Sequence, residues 1–370
     1  MSSLTWAQAA AWRAHRHHLD ERAPRRDALE VASRLCGLHA QLISSAELTL
    51  WARVEGLEPD AVSQALWEER TLVKTWAMRG TLHLLPAADY PFWQAGLATY
   101  DHYRKPAWSK AFGISQEDLD VLLETVGSQL EGRELTREEL AVAVGEATSE
   151  ELAEKVRESW GSMLKPAAFY GKLVFAPNAG RNVRFTAPAG EPAEGSREAV
   201  REIARRFVAV NGPVTREDLA RWWRGYSPAQ AGKLLAELGE QVEDVSLNGA
   251  TAYMLAGHGG RAAALEPPRS VRLLPAFDQY VVAASGHAHE LLPAGTDRAR
   301  VYRPQGWLTP VLAVDGLMRG LWRHERKGKR LVVEIEPLAK LPKWVRAGAE
   351  REAELLAGFL GGELELTVTA

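Results

Sequence analysis

Two polar side chains with the potential to catalyse hydrolysis lie near the start of the chain, at His39 and Gln41. A histidine, with an ordinary pKa of about 6.5, can act as a base at neutral pH. A glutamine amide both accepts and donates hydrogen bonds, so the two together can hold a water molecule. Residues two apart do not share a helix face, and they converge on one ligand only where a helix ends or bends.

The surrounding residues predict a helix end at this point. Apolar residues at helical spacing stop near Leu42, and Ser44 with Glu47 three residues later has the form of a capping box. The prediction places His39 and Gln41 in the last turn of one helix, beside the free N–H groups of the next, where an anion can bind. The alternative is that both are ordinary polar residues of a helix end.

The composition is that of a globular protein, with 46% hydrophobic and 25% charged residues. The net charge of −3 argues against indiscriminate nucleic-acid binding, although a local basic surface would suffice for phosphate contacts. Cys36 is the only cysteine, which excludes an intrachain disulfide, and no apolar run approaches the roughly 20 residues that cross a bilayer. We therefore expect a cytoplasmic protein with no membrane contact.

Predicted helices are followed by a β-hairpin three times within residues 1–260, which is the pattern of a winged helix. The hairpins are expected at 72–85, 173–186 and 242–255, the last around the turn dipeptide Asn248-Gly249. Thr-Arg-Glu-Glu-Leu at 136–140 and Thr-Arg-Glu-Asp-Leu at 215–219 start helices at matching places, as expected of tandem modules. We predict an α+β fold, mostly helical, with winged helices over residues 1–105, 106–190 and 191–260.

A linker rich in Gly, Ala and Pro is predicted at 257–268, and the chain then becomes rich in strands. Two of them pair across Asp315-Gly316, and a single helix is expected over 342–359. The prediction for 268–370 is a small β-barrel with one helix. One of its hairpins contains the densest basic run of the chain, which is either a nucleic-acid surface or a solvated turn, and which includes Arg323, Lys327, Lys329 and Arg330.

Most enzyme signatures are missing: there is no nucleophile elbow, phosphate-binding loop, dinucleotide fingerprint or zinc-ligand spacing. The histidine-rich run at 15–18 lacks metal-ligand spacing and is expected to be solvated or to face phosphate. We predict no metal site. Because winged helices normally bind DNA, the residues alone indicate a DNA-binding protein of several modules.

The chain resembles the AlkZ/YcaQ family of bacterial DNA glycosylases over nearly its full length. The matching segments are Leu-Cys-Gly-Leu-His-Ala-Gln at 35–41, Ala-Glu-Leu at 46–48, Leu-Trp-Ala-Arg at 50–53, the stretch at 72–84 that contains Trp-Ala-Met-Arg-Gly-Thr-Leu-His, and Leu-Pro-Ala-Phe-Asp at 274–278. The family's catalytic element is Gln-apolar-Gln in the AlkZ-like branch and Gln-apolar-Asp in the other. It falls here on His39-Ala40-Gln41, an AlkZ-like second position with histidine at the first.

The resemblance implies a monofunctional enzyme without a cofactor that hydrolyses the N-glycosidic bond of N7-alkylguanines in duplex DNA. Bulky or crosslinking adducts of a DNA-alkylating natural product are the implied lesions, and a monomer is expected. Gln41 would position the water and His39 would assist it. Lys74 and Arg79 on the first wing, with the basic C-terminal hairpin, would hold phosphates. The alternative is a DNA-binding regulator or lesion sensor that has lost the chemistry.

Overall fold

The computed structural model describes residues 1–158 and 161–369. Its helices are α1 (Trp6–Arg16), α2 (Ala28–Arg34), α3 (Ile43–Trp51), α4 (Ala61–Ser63), α5 (Tyr90–Leu97), α6 (Pro106–Phe112), α7 (Gln116–Leu130), α8 (Arg137–Ala147), α9 (Glu150–Arg157), α10 (Leu164–Phe169), α11 (Arg197–Asn211), α12 (Arg216–Trp223), α13 (Pro228–Ala236), α14 (His258–Ala264), α15 (Gln279–Ala283), α16 (Ala288–Leu291) and α17 (Lys343–Leu360). None of the described helices is long and apolar enough to cross a membrane.

The strands are β1 (Ser3–Leu4), β2 (Leu38–His39), β3 (Leu72–Trp76), β4 (Leu82–Pro86), β5 (Leu135–Thr136), β6 (Val174–Ala179), β7 (Asn182–Thr186), β8 (Val242–Leu247), β9 (Ala250–Leu255), β10 (Val271–Leu274), β11 (Val311–Val314), β12 (Leu317–Lys327), β13 (Arg330–Pro337) and β14 (Glu363–Val368). The predicted α+β class and the hairpins after each group of helices are confirmed. The chain forms two compact units, the first from 1–62, 204–222 and 226–370, the second from 63–203 and 223–225.

The first unit contains a five-stranded sheet in the order β10-β11-β12-β13-β14. Neighbours are antiparallel except β13 and β14, which are parallel and joined by α17. Helix α17 approaches β10 so closely that a Cβ on Gly348 would lie 2.7 Å from a methyl group of Val271. The predicted barrel is wrong: within the described residues the sheet is open, because α17 buries its apolar face against β10 and β14 without closure.

The sequence predicts an amphipathic helix over residues 1–22 with its N-cap near Ser3, but Ser3 and Leu4 form the strand β1. Leu4 lies opposite Leu247 in parallel pairing with β8. Helix α1 begins after Thr5, whose hydroxyl accepts from the Gln8 N–H at 3.3 Å while the Gln8 amide oxygen accepts from the Thr5 N–H at 3.0 Å. The predicted helix is therefore correct in place but starts later, since β8 offers the preceding residues a partner.

The predicted linker at 257–268 is in part the helix α14. Ala262 of this helix is fully buried in a core cluster with Leu4, Trp12 and Met254. The glycine-rich and alanine-rich run folds because alanine is the strongest helix former and its neighbours in this unit bury it.

The histidine-rich run at 15–18 is not solvated throughout. His17 is buried with its ring edge-on to Tyr280, at a centroid distance of 5.1 Å, and its Nε2 lies 3.2 Å from the Asn211 side-chain oxygen. Burial holds the pKa of His17 well below its usual value. The run contributes to the packing of the first unit.

The second unit contains the hairpin β3–β4 and the sheet β5-β7-β6. Trp76 at the end of β3 packs against Phe175 and Phe185, with ring centroids 4.7 and 6.1 Å apart. The helix start predicted at 136–140 is confirmed, because Thr136 forms a capping box with α8, and Ser115 also caps α7 through its side chain.

Candidate active site of the first unit

His39 lies on the short strand β2, and Gln41 follows it in a bend before α3. The chain reaches them through a sharp turn after α2, in which Cys36 and Gly37 both have left-handed backbone, with φ of +61° and +86°. The prediction that the pair occupies a last helical turn is therefore wrong. Helix α2 ends at Arg34, before the chain reaches the pair, so His39 lies in a short strand and Gln41 in the bend that follows it.

The predicted capping box at Ser44 is also wrong. Helix α3 begins at Ile43, its N-cap position is Leu42, and no side chain caps it. Ser44 therefore lies in the first turn. The prediction failed because β2 ends the preceding segment earlier than the apolar spacing indicates.

The two side chains differ in exposure. His39 is only 5% exposed, whereas Gln41 is exposed. The Gln41 backbone N–H points to the His39 Nδ1 across a long 3.5 Å. The histidine ring thus supports the backbone that presents the glutamine amide to solvent.

Aromatic stacking fixes the His39 ring from its other side. The ring lies parallel to Phe277 with a centroid distance of 4.9 Å and an angle of 7°. Phe277 has left-handed backbone, with φ of +60°, which turns its ring toward β2. Phe277 in turn packs against Trp307 in a T-shaped arrangement, with a centroid distance of 5.0 Å and an interplanar angle of 75°.

A fully buried ion pair holds the loop that carries Phe277. Arg53, after α3, donates two hydrogen bonds of 2.7 Å to the two carboxylate oxygens of Asp278, and both side chains are 0% exposed. Asp278 also accepts from the Tyr280 N–H at 2.9 Å, which caps α15. The Gln279 amide donates to the Gly37 carbonyl at 2.7 Å, which ties α15 to the turn before β2.

The segments at 35–41, 50–53 and 274–278 are distant in sequence and meet in this one place. Sequence reasoning quoted Arg53 and Asp278 among matching residues but missed that they pair, and it gave Gln279 and Trp307 no role. The available signal was one aspartate and one arginine inside otherwise apolar segments, because such charges are rarely buried unless paired.

The predicted phosphate contacts of the first wing lie in the second unit and are partly buried. The Lys74 ammonium lies 5.0 Å from the centroid of the Phe175 ring, and burial lowers the pKa of this lysine. Arg79 occupies the β3–β4 turn in left-handed backbone, and burial with the nearby Arg224 charge lowers its pKa to about 10.

The basic C-terminal hairpin is exposed from 323 to 330, as predicted. Three of its cations contact carboxylates of the same sheet: Arg323 with Glu334 at 2.8 Å, Lys327 with Glu325 at 3.2 Å and Arg330 with Glu365 at 2.6 Å. Among the residues that the structure describes, Lys329 has no such partner. The positive charge open to a phosphate is therefore smaller than the residue count indicates.

Comparison with known proteins identifies the class, which is a DNA glycosylase, an enzyme that hydrolyses N-glycosyl bonds of DNA. A family model described as DNA glycosylase AlkZ-like matches residues 32–359, so the chain belongs to the AlkZ-like DNA glycosylase family, as the sequence resemblance indicated. The matched range includes His39 and Gln41.

Two relatives from Streptomyces sahachiroi support the assignment. A protein named interstrand DNA cross-link repair glycosylase is 34% identical over 368 residues, which cover 96% of this chain and 97% of that protein. The solved structure of the Streptomyces sahachiroi DNA glycosylase AlkZ superposes with a TM-score of 0.88 at 33% identity, covering 99% of this chain and all of that one.

Proposed function

We propose that this glycosylase releases N7-alkylguanines from duplex DNA, including bulky or crosslinking adducts, as a monofunctional enzyme. The observation that carries the proposal is that Gln41 is exposed while its backbone N–H faces the ring of the buried, stacked His39. An N7-alkylguanine is already cationic, so the base departs without protonation. The enzyme must still orient a water and accommodate an oxocarbenium-like sugar. A neutral amide is sufficient for both tasks.

In this mechanism Gln41 positions the water, accepting one of its hydrogen bonds through the amide oxygen while the NH₂ group donates to a sugar or phosphate oxygen. His39 assists through the Gln41 backbone that it supports. No lysine lies in the motif at 39–41, so the sequence offers no amine for a covalent lyase step.

The substrate range rests on the relative named for interstrand cross-link repair, which resembles this chain over nearly its whole length. We extend crosslink or bulky-adduct repair to this chain, with self-resistance to a DNA-alkylating natural product as its purpose. The three hairpins that follow groups of helices act as winged helices that hold the duplex, and the enzyme works as a monomer.

The test is single-turnover release of N7-methylguanine, and separately of a bulky intercalating N7 adduct, from duplex DNA, measured by chromatography of the freed base. We expect release of both, without strand cleavage by the protein itself. Tight DNA binding with no release of either base would overturn the proposal and leave a non-enzymatic DNA-binding protein.

The exposed hairpin tip offers a test of the phosphate contacts. Lys329→Ala should weaken duplex binding and reduce the slope of log affinity against log salt by about 0.9, the value for one phosphate. Arg330→Ala should have a smaller effect, because Arg330 is already paired with Glu365. Fluorescence anisotropy over a salt series measures both, with the exposed Lys340→Ala as control. An unchanged slope in Lys329→Ala would remove the hairpin from the DNA interface.

A further inference from the structure

An exposed tryptophan lies next to the site and has no part in the proposed hydrolysis. Trp307 is 44% exposed, although it packs at a steep angle against Phe277, the ring that supports His39. Large aromatic side chains usually bury most of their surface, so a tryptophan with one half packed and one half open beside a ligand site can serve as a stacking platform.

The segment that carries this residue, here named the aromatic loop and defined as residues 303–307, is held at both ends. Tyr302 and Leu308 form a β-bridge across its base, and the Arg303 N–H donates to the Trp307 carbonyl at 2.9 Å. Below the loop, the buried Tyr302 donates its hydroxyl proton to the Val281 carbonyl at 2.7 Å. These contacts fix the backbone of the loop in the conformation that leaves Trp307 exposed.

The loop also shows features that favour a nucleic-acid ligand. Arg303 is exposed at its start and gives the same short loop a positive charge. Gln305 and Gly306 both have left-handed backbone, with φ of +61° and +77°, which turns the chain so that Trp307 follows directly. A cation and an aromatic ring on one short loop is the combination that contacts a phosphate and stacks on a flat ring.

We propose that Trp307 stacks on the aromatic part of a bulky N7 adduct and sets the preference of the enzyme for such lesions. The inference rests on the proposed function. Trp307 is linked to His39 through Phe277, with centroid distances of 4.9 Å from His39 to Phe277 and 5.0 Å from Phe277 to Trp307. With the alkylated guanine at the proposed site, a bulky adduct is long enough to span these two ring contacts, whereas a methyl group is not. A flat aromatic adduct is therefore the occupant that fits the open half of the tryptophan.

The experiment compares single-turnover release of the bulky aromatic adduct with that of N7-methylguanine by wild type, Trp307→Ala and Trp307→Phe. In Trp307→Ala we expect the ratio of the two rates, bulky over methyl, to fall by about 10-fold, within the range of stacking on one aromatic side chain. Trp307→Phe should restore most of the ratio, because it keeps a ring at the same place. Leu355→Ala, at an exposed apolar residue of α17, is the matched control and should keep the wild-type ratio.

Two outcomes would overturn the inference. An unchanged ratio in Trp307→Ala shows that the ring does not touch the adduct. An equal loss on both substrates shows that it stacks on an ordinary base or supports Phe277. If wild type releases neither base, the proposed function itself fails, so the two failures are distinguished. Thermal unfolding of each variant separates loss of stacking from loss of fold.

Discussion

Asp278→Ala should lower the free energy of unfolding by about 3–5 kcal/mol, the cost of removing one partner of a buried ion pair. The substitution leaves the Arg53 guanidinium, which is 0% exposed, without its carboxylate in a site that water does not reach. It also removes the acceptor that caps α15 at the Tyr280 N–H. Both losses act on the loop that presents Phe277 to His39, so release of the alkylated base should slow even well below the melting temperature.

An exposed ion pair on the surface serves as the control for this experiment. Arg25 and Glu58 form an ion pair of similar length, 2.8 Å, but their side chains are 57% and 53% exposed. Glu58→Ala should therefore cost no more than about 1 kcal/mol. Urea unfolding of the two variants, followed by circular dichroism, compares buried and exposed pairs in one protein.

A paired substitution separates the charge from the packing. Arg53→Met with Asp278→Leu removes both charges, and we expect it to be more stable than Asp278→Ala alone, because no uncompensated charge remains. Asp278→Asn keeps an acceptor for the α15 cap and should lie between alanine and wild type. If Asp278→Ala lowered the free energy of unfolding as little as Glu58→Ala does, the Arg53–Asp278 ion pair would not be important for stability.

Local residue chemistry made much of the fold predictable. The turn dipeptides Asn248-Gly249 and Asp315-Gly316 both form hairpin turns, and all four residues have the left-handed backbone that such turns require. Side-chain caps at helix starts were equally predictable from the sequence, because Thr136 and Glu139 satisfy each other's backbone N–H groups without distant partners. These features depend on residues within a few positions of one another.

The rest depends on partners that sequence spacing does not reveal. Arg53 and Asp278 are 225 residues apart, and the apolar segment around each one suggests that its charge is paired but does not identify the partner. Leu4 is a strand residue only because β8 lies beside it. The strands of the C-terminal sheet were predicted, but whether the sheet closes into a barrel depends on where α17 packs. The chemistry of the candidate pair at 39–41 stays a prediction, and the pair was placed on the wrong element, because a two-residue strand has no periodic pattern.

Replacement of Gln41 should slow the chemical step more than any other single substitution at the site. Gln41→Ala removes the amide that we propose orients the water, and we expect the single-turnover rate of N7-methylguanine release to fall about 100-fold or more, the scale for loss of reactant positioning. Gln41 is exposed, so the fold should keep its melting temperature. A wild-type rate in this variant would remove Gln41 from the mechanism.

His39 offers a sharper comparison, because the AlkZ-like branch resembled by this chain has glutamine at that position. His39→Ala removes the stack on Phe277 and the ring that faces the Gln41 N–H, so both rate and stability should fall. His39→Gln should keep far more of the rate, since a second amide can hold the same water. If the imidazole acts as a base, the wild-type rate rises with pH as histidine loses its proton, and the rise is absent in His39→Gln. Matching pH profiles in the two proteins would instead mean that His39 only supports Gln41. The Gln41 amide would then be sufficient for hydrolysis, because the departing base is already a cation.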